Sequence, residues 1–133
     1  MGLTTFARNA LLNHLFGKST YTAPTHVYLG LSTTTPTANG SNITEPTGNG
    51  YVRRQTSPSD WVAATASSVT TAGDLIFATA TPLSWGTVTY GLLYDAETGG
   101  NCLDFGELTT PRTIVAGDAF IVRAGGITLS ITA

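Results

Sequence analysis

The hydrophobic period of this chain changes once, at Gly17. Before it, Leu3, Phe6, Ala7, Ala10, Leu11 and Leu15 recur at i, i+3, i+4 spacing, which places them on one stripe of a helix. Thr4 or Thr5 suits the N-cap and Gly17 the left-handed stop, so the spacing predicts an amphipathic helix over residues 3–17. At about four turns such a helix is too short to hold alone in water, and its stripe needs a sheet face or a neighbouring subunit. After Gly17 the repeat is two. Val27, Leu29 and Leu31 alternate with His26, Tyr28 and Gly30, and Ile127, Leu129 and Ile131 alternate with Thr128, Ser130 and Thr132.

Turn chemistry cuts this β-patterned remainder into short pieces. Ser32 to Gly50, with two prolines and three glycines, reads as a long surface loop. Tyr51 to Arg53 resume an extended run, and Ala72-Gly73-Asp74 precedes a strand with Leu75, Phe77 and Thr79 on one face. Val88, Tyr90, Leu92 and Tyr94 share a later face, joined through Asp95–Asn101 to Cys102–Leu108 as a hairpin. Ala119–Ala124 and Ile127–Thr132 read as the last two strands, with Gly125-Gly126 as a tight reversal between them. The fold expected is mainly β: an antiparallel β-sandwich or barrel-like domain of about seven strands with one N-terminal amphipathic helix. Residues 1–133 form a single domain in this reading, with the helix at 3–17, the β-domain at 26–133 and the long loop at 32–50.

What solvates this chain is mostly hydroxyl. It has 25 Thr and 9 Ser but only 11% charged residues, against about 25% in an average domain. A net charge of −2 offers no basic face for phosphates, so nucleic acid is not an expected partner. The opening segment lacks a basic leader and its apolar run is broken by Arg8, Asn9, Asn13 and His14, so neither a signal peptide nor a membrane partner is expected. Phe6 stands where a myristoylation signal needs Ser or Thr. The lone Cys102, in an apolar strand pattern, fits a buried thiol in a chain made in a reducing host cytoplasm.

Catalytic machinery is not expected. His14 and His26 lack the company of a metal site, no G-x-S-x-G elbow or phosphate loop occurs, and no cofactor is expected. Asp95, Glu97, Asn101 and Asp104 bring hard oxygens to one hairpin, but turns collect such residues and the spacing is not that of an EF-hand. Trp61 and Trp85 suit core packing better than a sugar groove. The scarce cations Arg53, Arg54, Arg112 and Arg123 suit ion pairs with another subunit. Candidate partner contacts are Asn39, Asn42, Ile43, Glu45, Asn49, Tyr51, Arg53 and Arg54. Candidate subunit contacts are Phe6, Leu11, Leu15, Ile127, Leu129 and Ile131.

Five motifs in order carry a resemblance: ALLNHLFG, YTAPTHVYLGLSTTTPT, EPTGNGYVRR, SWGTVTYGLLYDAETGGN and GELTTPRTIVAGD. Together they resemble a family of small tailed-phage virion structural proteins, labelled tail fibre, minor tail or capsid decoration protein. The resemblance implies a structural role in the virion and no catalytic residues. One short domain has no room for a repetitive shaft or a trimerising coil. The expected role is therefore a capsid decoration (cement) protein, a homotrimer bound to the major capsid protein or other virion proteins, on the capsid surface rather than the tail. The alternative is a tail-fibre or minor tail protein involved in host attachment.

Overall fold

Thr4 is the hinge between the first strand and the only α-helix of the described residues, which are 2–131 of this computed structural model. Its backbone is extended and its Oγ1 accepts the Ala7 amide at 3.3 Å, while the same hydroxyl donates to the Cys102 carbonyl at 2.7 Å. Helix α1 therefore spans Thr5–Leu15, shorter than the expected 3–17, because Gly2–Leu3 form a strand, β1, paired with the sheet. At the other end Lys18 N–H donates to Asn13 C=O and Gly17 N–H to His14 C=O, with Gly17 at φ +68°. That is the double bond of a Schellman stop, which needs the glycine.

The remaining strands are β2 (Tyr28–Ser32), β3 (Arg54–Gln55), β4 (Ser68–Thr70), β5 (Leu75–Ile76), β6 (Gly86–Tyr94), β7 (Cys102–Ile114), β8 (Ile121–Val122) and β9 (Thr128–Ser130). Five form one antiparallel sheet in the order β1-β7-β6-β2-β3, and β4-β9 and β5-β8 are two-stranded ribbons. The architecture is mainly β and antiparallel, with one helix near the N-terminus, and the large sheet is open rather than closed into a barrel. On one face Leu29, Leu31, Val88 and Leu93 pack against Leu75, Phe77 and Val122 of the β5-β8 region to make the main core. On the other face Leu92, Tyr94 and Cys102 form a second cluster that Ile43 of the long loop helps to cover.

Several expectations change. The β6-β7 hairpin forms as read, but a register shift between Val88 and Tyr90 breaks the even alternation: Val88 joins the main core and Leu92 and Tyr94 the second cluster. β8 and β9 do not pair with each other. Each leaves for a different ribbon, β8 to β5 and β9 to β4, and Gly125-Gly126 turns the chain between them. Residues Tyr51 to Arg53 are not a strand; pairing with β2 begins at Arg54. Thr79 is exposed, unlike Leu75 and Phe77. Thr132, the expected end of the last strand, lies outside the described residues.

Hydroxyls tie distant segments together where regular strands are short. Thr4, Thr56, Thr71 and Ser32 are all buried, and each donates to a carbonyl, of Cys102, Val27, Arg123 and Thr34 respectively. A buried hydroxyl so satisfied costs little and fixes its neighbour. Among the described residues one buried side-chain polar atom has no such partner: Asp104 Oδ1, on β7 opposite Leu3 and Leu93.

Burial pushes the Asp104 carboxyl up to about 7. The folded protein thus holds a proton that the unfolded chain releases near the ordinary carboxylate value, so this group's contribution to stability falls as pH rises from about 4 to about 7 and is flat above. Urea unfolding at pH 5 and pH 8 is expected to differ by roughly 2 kcal/mol for this reason, and Asp104→Asn is expected to remove most of that difference.

Candidate interaction surfaces

The long loop is built onto the sheet by one chain of polar contacts. The Leu31 amide, beyond the end of β3, donates to the Tyr51 hydroxyl at 3.0 Å, and that hydroxyl donates to Glu45 Oε1 at 2.7 Å. Glu45 accepts from Arg53 through Nε at 3.1 Å and Nη2 at 2.8 Å, a two-pronged pair. The other prong, Nη1, donates to the Ala96 and Gly99 carbonyls in the β6-β7 turn at 2.9 and 2.8 Å. Arg53 also lies over the Tyr94 ring, its Cζ 3.4 Å from the centroid.

The Arg53 side chain is 8% exposed and Glu45 20%, so the pair is largely out of water. Burial alone would lower the arginine pKa; Glu45 outweighs it and holds the value raised. Burial, then the bond to Glu45, drives the Tyr51 hydroxyl far upward, and burial pushes Tyr94 up to about 12. Tyr51 and Tyr94 are therefore neutral phenols at neutral pH, and Arg53 keeps its charge. Gly30 makes the arrangement fit: a Cβ there would lie 2.9 Å from Glu45 Oε1 and 3.3 Å from the Tyr51 hydroxyl.

Of the eight residues read as partner contacts, Glu45, Tyr51 and Arg53 meet in this network, and Ile43 packs on the second cluster. Asn49, at φ +53°, gives its carbonyl to the Trp85 indole at 2.8 Å and to the Thr81 amide at 3.0 Å. Arg54 Nε donates to the Ile76 carbonyl. Asn39 and Asn42 are exposed on a frame of short bonds, including Thr34 Oγ1 to the Asn42 carbonyl at 2.7 Å. The loop is therefore a fixed surface whose outward groups are asparagines and threonines. Arg53 finds its ion pair inside the chain, contrary to the expectation of a pair across subunits, because Gly30 leaves room for its acid. Arg123 likewise pairs with Asp74, whose carboxyl is held low by the Ala124 amide and then by Arg123.

A second surface lies on the far side of α1. Only Ala7 of the helix is buried, so the expected apolar stripe is largely uncovered, with Leu15 76% exposed and Phe6 and Leu11 also exposed; Leu12 and Phe16, outside that stripe, are 52% and 75% exposed. Beside the helix runs a groove of about 570 Å³. It is lined by Ala7 and Leu11 of α1, by Leu93 and Leu103 of the large sheet, and by Trp61, Val69, Leu129 and Ile131. Three residues read as subunit contacts, Leu11, Leu129 and Ile131, thus converge, although more than a hundred positions separate the first from the others. Phe6 and Leu15 stand outside the groove, and Ile127 packs against the main core.

The remaining chemistry-bearing residues serve the fold. His14 Nδ1 accepts the Tyr21 amide at 3.1 Å and His26 Nδ1 lies 2.9 Å from the Thr56 carbonyl. Asp95 is bound to Asn101 within the turn, and Asp104 is buried apart from it. Among the described residues no three His, Cys, Asp or Glu side chains gather as for a metal ion. Burial pushes Cys102 up to about 11, which keeps it a thiol. No helix among the described residues is long and apolar enough to cross a membrane.

Residues 2–130 match the model of the family described as podophage GP4 fiber I protein gp80. The chain belongs to that family. It is a phage structural protein of the virion, and the family's description names a fibre, which favours the tail-fibre alternative over the capsid decoration expected from the length of the chain. No curated protein matches it.

The Arg53 network carries a direct expectation. Arg53→Met strands Glu45 and two turn carbonyls, and should lower the unfolding free energy by about 3 kcal/mol in urea titrations. Glu45→Gln combined with Arg53→Met should recover part of that loss, since no unpaired charge remains.

Proposed function

We propose that this protein is a structural module of the phage fibre apparatus, a non-enzymatic β-domain that works by contact with other virion proteins and with copies of itself. The match to a fibre family over residues 2–130 carries the reading. Several features support it. The loop surface is held rigid by Arg53 and presents neutral amides and hydroxyls, groups that pair with a partner without desolvating an ion. An apolar helix face and groove offer a second contact surface of opposite character. In this reading the described β-domain is one module of a longer assembly.

In this reading host attachment runs through the loop side and assembly through the helix side. Several of the acidic and basic residues do internal work, and the loop side presents mostly Thr, Asn and Gly. The test of placement is immunogold electron microscopy of purified virions with antibody to the purified chain. Label on fibres at the tail end, with a low copy number on quantified gels, is the expected outcome. Label over the whole head, at a copy number that scales with the capsid lattice, would return the chain to capsid decoration.

A further inference from the structure

Asp104 lies where the sheet is most weakly covered. Its side chain is buried, 1% exposed, and its Oδ1 has no hydrogen-bond partner among the described residues. Leu93 of β6 stands directly opposite it on one side and Leu3 of β1 on the other. Residues opposite one another in an antiparallel pair share a face, so the carboxyl sits between two leucines. The two covers differ in strength. β6 is bound to β7 along a ladder from Gly86 to Tyr94, whereas β1 is the outer strand of the sheet and pairs through Gly2 and Leu3 alone. Helix α1, which follows β1, adds little, because Ala7 is its one buried residue. Three bonds at the junction dock the two elements: the Thr4 amide to the Leu103 carbonyl at 2.9 Å, the Thr4 hydroxyl to the Cys102 carbonyl at 2.7 Å, and the Thr5 amide to the Ala38 carbonyl at 2.8 Å. Between Leu15 and Tyr28 the chain holds no helix or strand, so this arm can lift without pulling on β2.

We propose that β1 and α1 form a pH-released arm, docked on β7 while Asp104 keeps its proton and let go from the sheet as one unit when that carboxyl ionises. Release is the least disruptive way to hydrate the new charge: water reaches Asp104 once the outer strand lifts, with the β6-β7 ladder and the main core intact. It also bares the β7 edge at Asp104 and Phe105 for pairing with another strand.

Among the described residues no cation lies within ion-pair distance of Asp104. On α1, Arg8 is exposed and donates to the Thr5 hydroxyl, and His14 takes the Tyr21 amide at 3.1 Å. β6 brings the Tyr94 phenol, β7 itself the Cys102 thiol and the exposed Glu107, and β9 has no titratable residue. The amino end of the chain draws the Asp104 carboxyl down, but burial outweighs it and leaves the group at about 7. In the lifted arm the same carboxyl ionises near its ordinary 3.8. The docked form therefore binds a proton that the lifted form gives up, and opening grows with pH from about 4 to about 7 and levels off above.

Arg8 lies inside α1, and an undocked helix of this length does not hold in water, so lifting opens its peptide bond to a protease. The experiment is cleavage of the full chain by an arginine-specific protease, with the rate after Arg8 divided at each pH by that of a free peptide of residues 3–13. The ratio is expected to rise about tenfold from pH 6 to pH 8.5, and Asp104→Asn to remove the rise. Arg53 and Arg54, half-buried in the β-body, should stay uncut over the same interval. A ratio that does not change with pH overturns the proposal, and so does an Asp104→Asn protein that keeps the rise. Cleavage after Arg54 as fast as after Arg8 also overturns it, since the opening would then be global. The wild-type ratio needs no variant, so the test holds even where Asp104→Asn fails to fold.

Discussion

Arg53 is bound on three sides at once, and the arrangement of the loop follows from that. Its guanidinium meets Glu45 from the long loop, the carbonyls of Ala96 and Gly99 from the β6-β7 turn, and the face of Tyr94 from the sheet. A cation this far out of water is tolerated only when every direction of its charge is answered. The cost of burying it is what makes the site specific: a loop in any other position would leave Glu45 or Arg53 alone. Nineteen residues with two prolines and three glycines and no strand after Ser32 are held in one place by this fork and by the hydroxyl ladder through Ser32, Thr34 and Thr37.

The same economy runs through the rest of the molecule. Charged groups are few, and several are spent internally, on the Arg53 pair, on the Arg123–Asp74 pair, on Asp60 capping Ser57 and on Asp95 closing its turn. What faces outward is hydroxyl and amide on the loop side and carbon on the helix side. A surface so composed can be desolvated against neighbours at little electrostatic cost, which suits a protein whose work is to be assembled into a particle. The family to which the chain belongs is consistent with that use.

Much of the frame was legible in the residues. The helix, the β2 alternation and the β6-β7 hairpin follow from period and turn chemistry, which act over a few residues. The misreadings share a cause: each depended on a partner distant in sequence. Ile127 to Ile131 alternates well, but nothing in it says that it pairs with Ser68–Thr70 and not with the strand two glycines before it. Val88 to Tyr94 hides its bulge because a bulge is defined by the other strand. Glu45, Tyr51 and Arg53 were singled out as contacts from their place in a loop and became one network. The overlooked signal was Gly30, a glycine inside a good strand, which marks a close approach to the sheet. Leu11, Leu129 and Ile131 lie far apart in the sequence, and only the fold shows that they share one groove.

The account rests on the long loop being a fixed surface, and amide hydrogen exchange reads that directly. The Thr33 amide bonds the Thr44 carbonyl at 2.9 Å, Thr37 the Ser41 carbonyl at 2.9 Å, and Thr44 the Ser32 hydroxyl at 3.2 Å. These amides are expected to exchange slowly, with protection near that of β2. Exchange of all three at the rate of an unstructured peptide, with β2 still protected, would contradict the account.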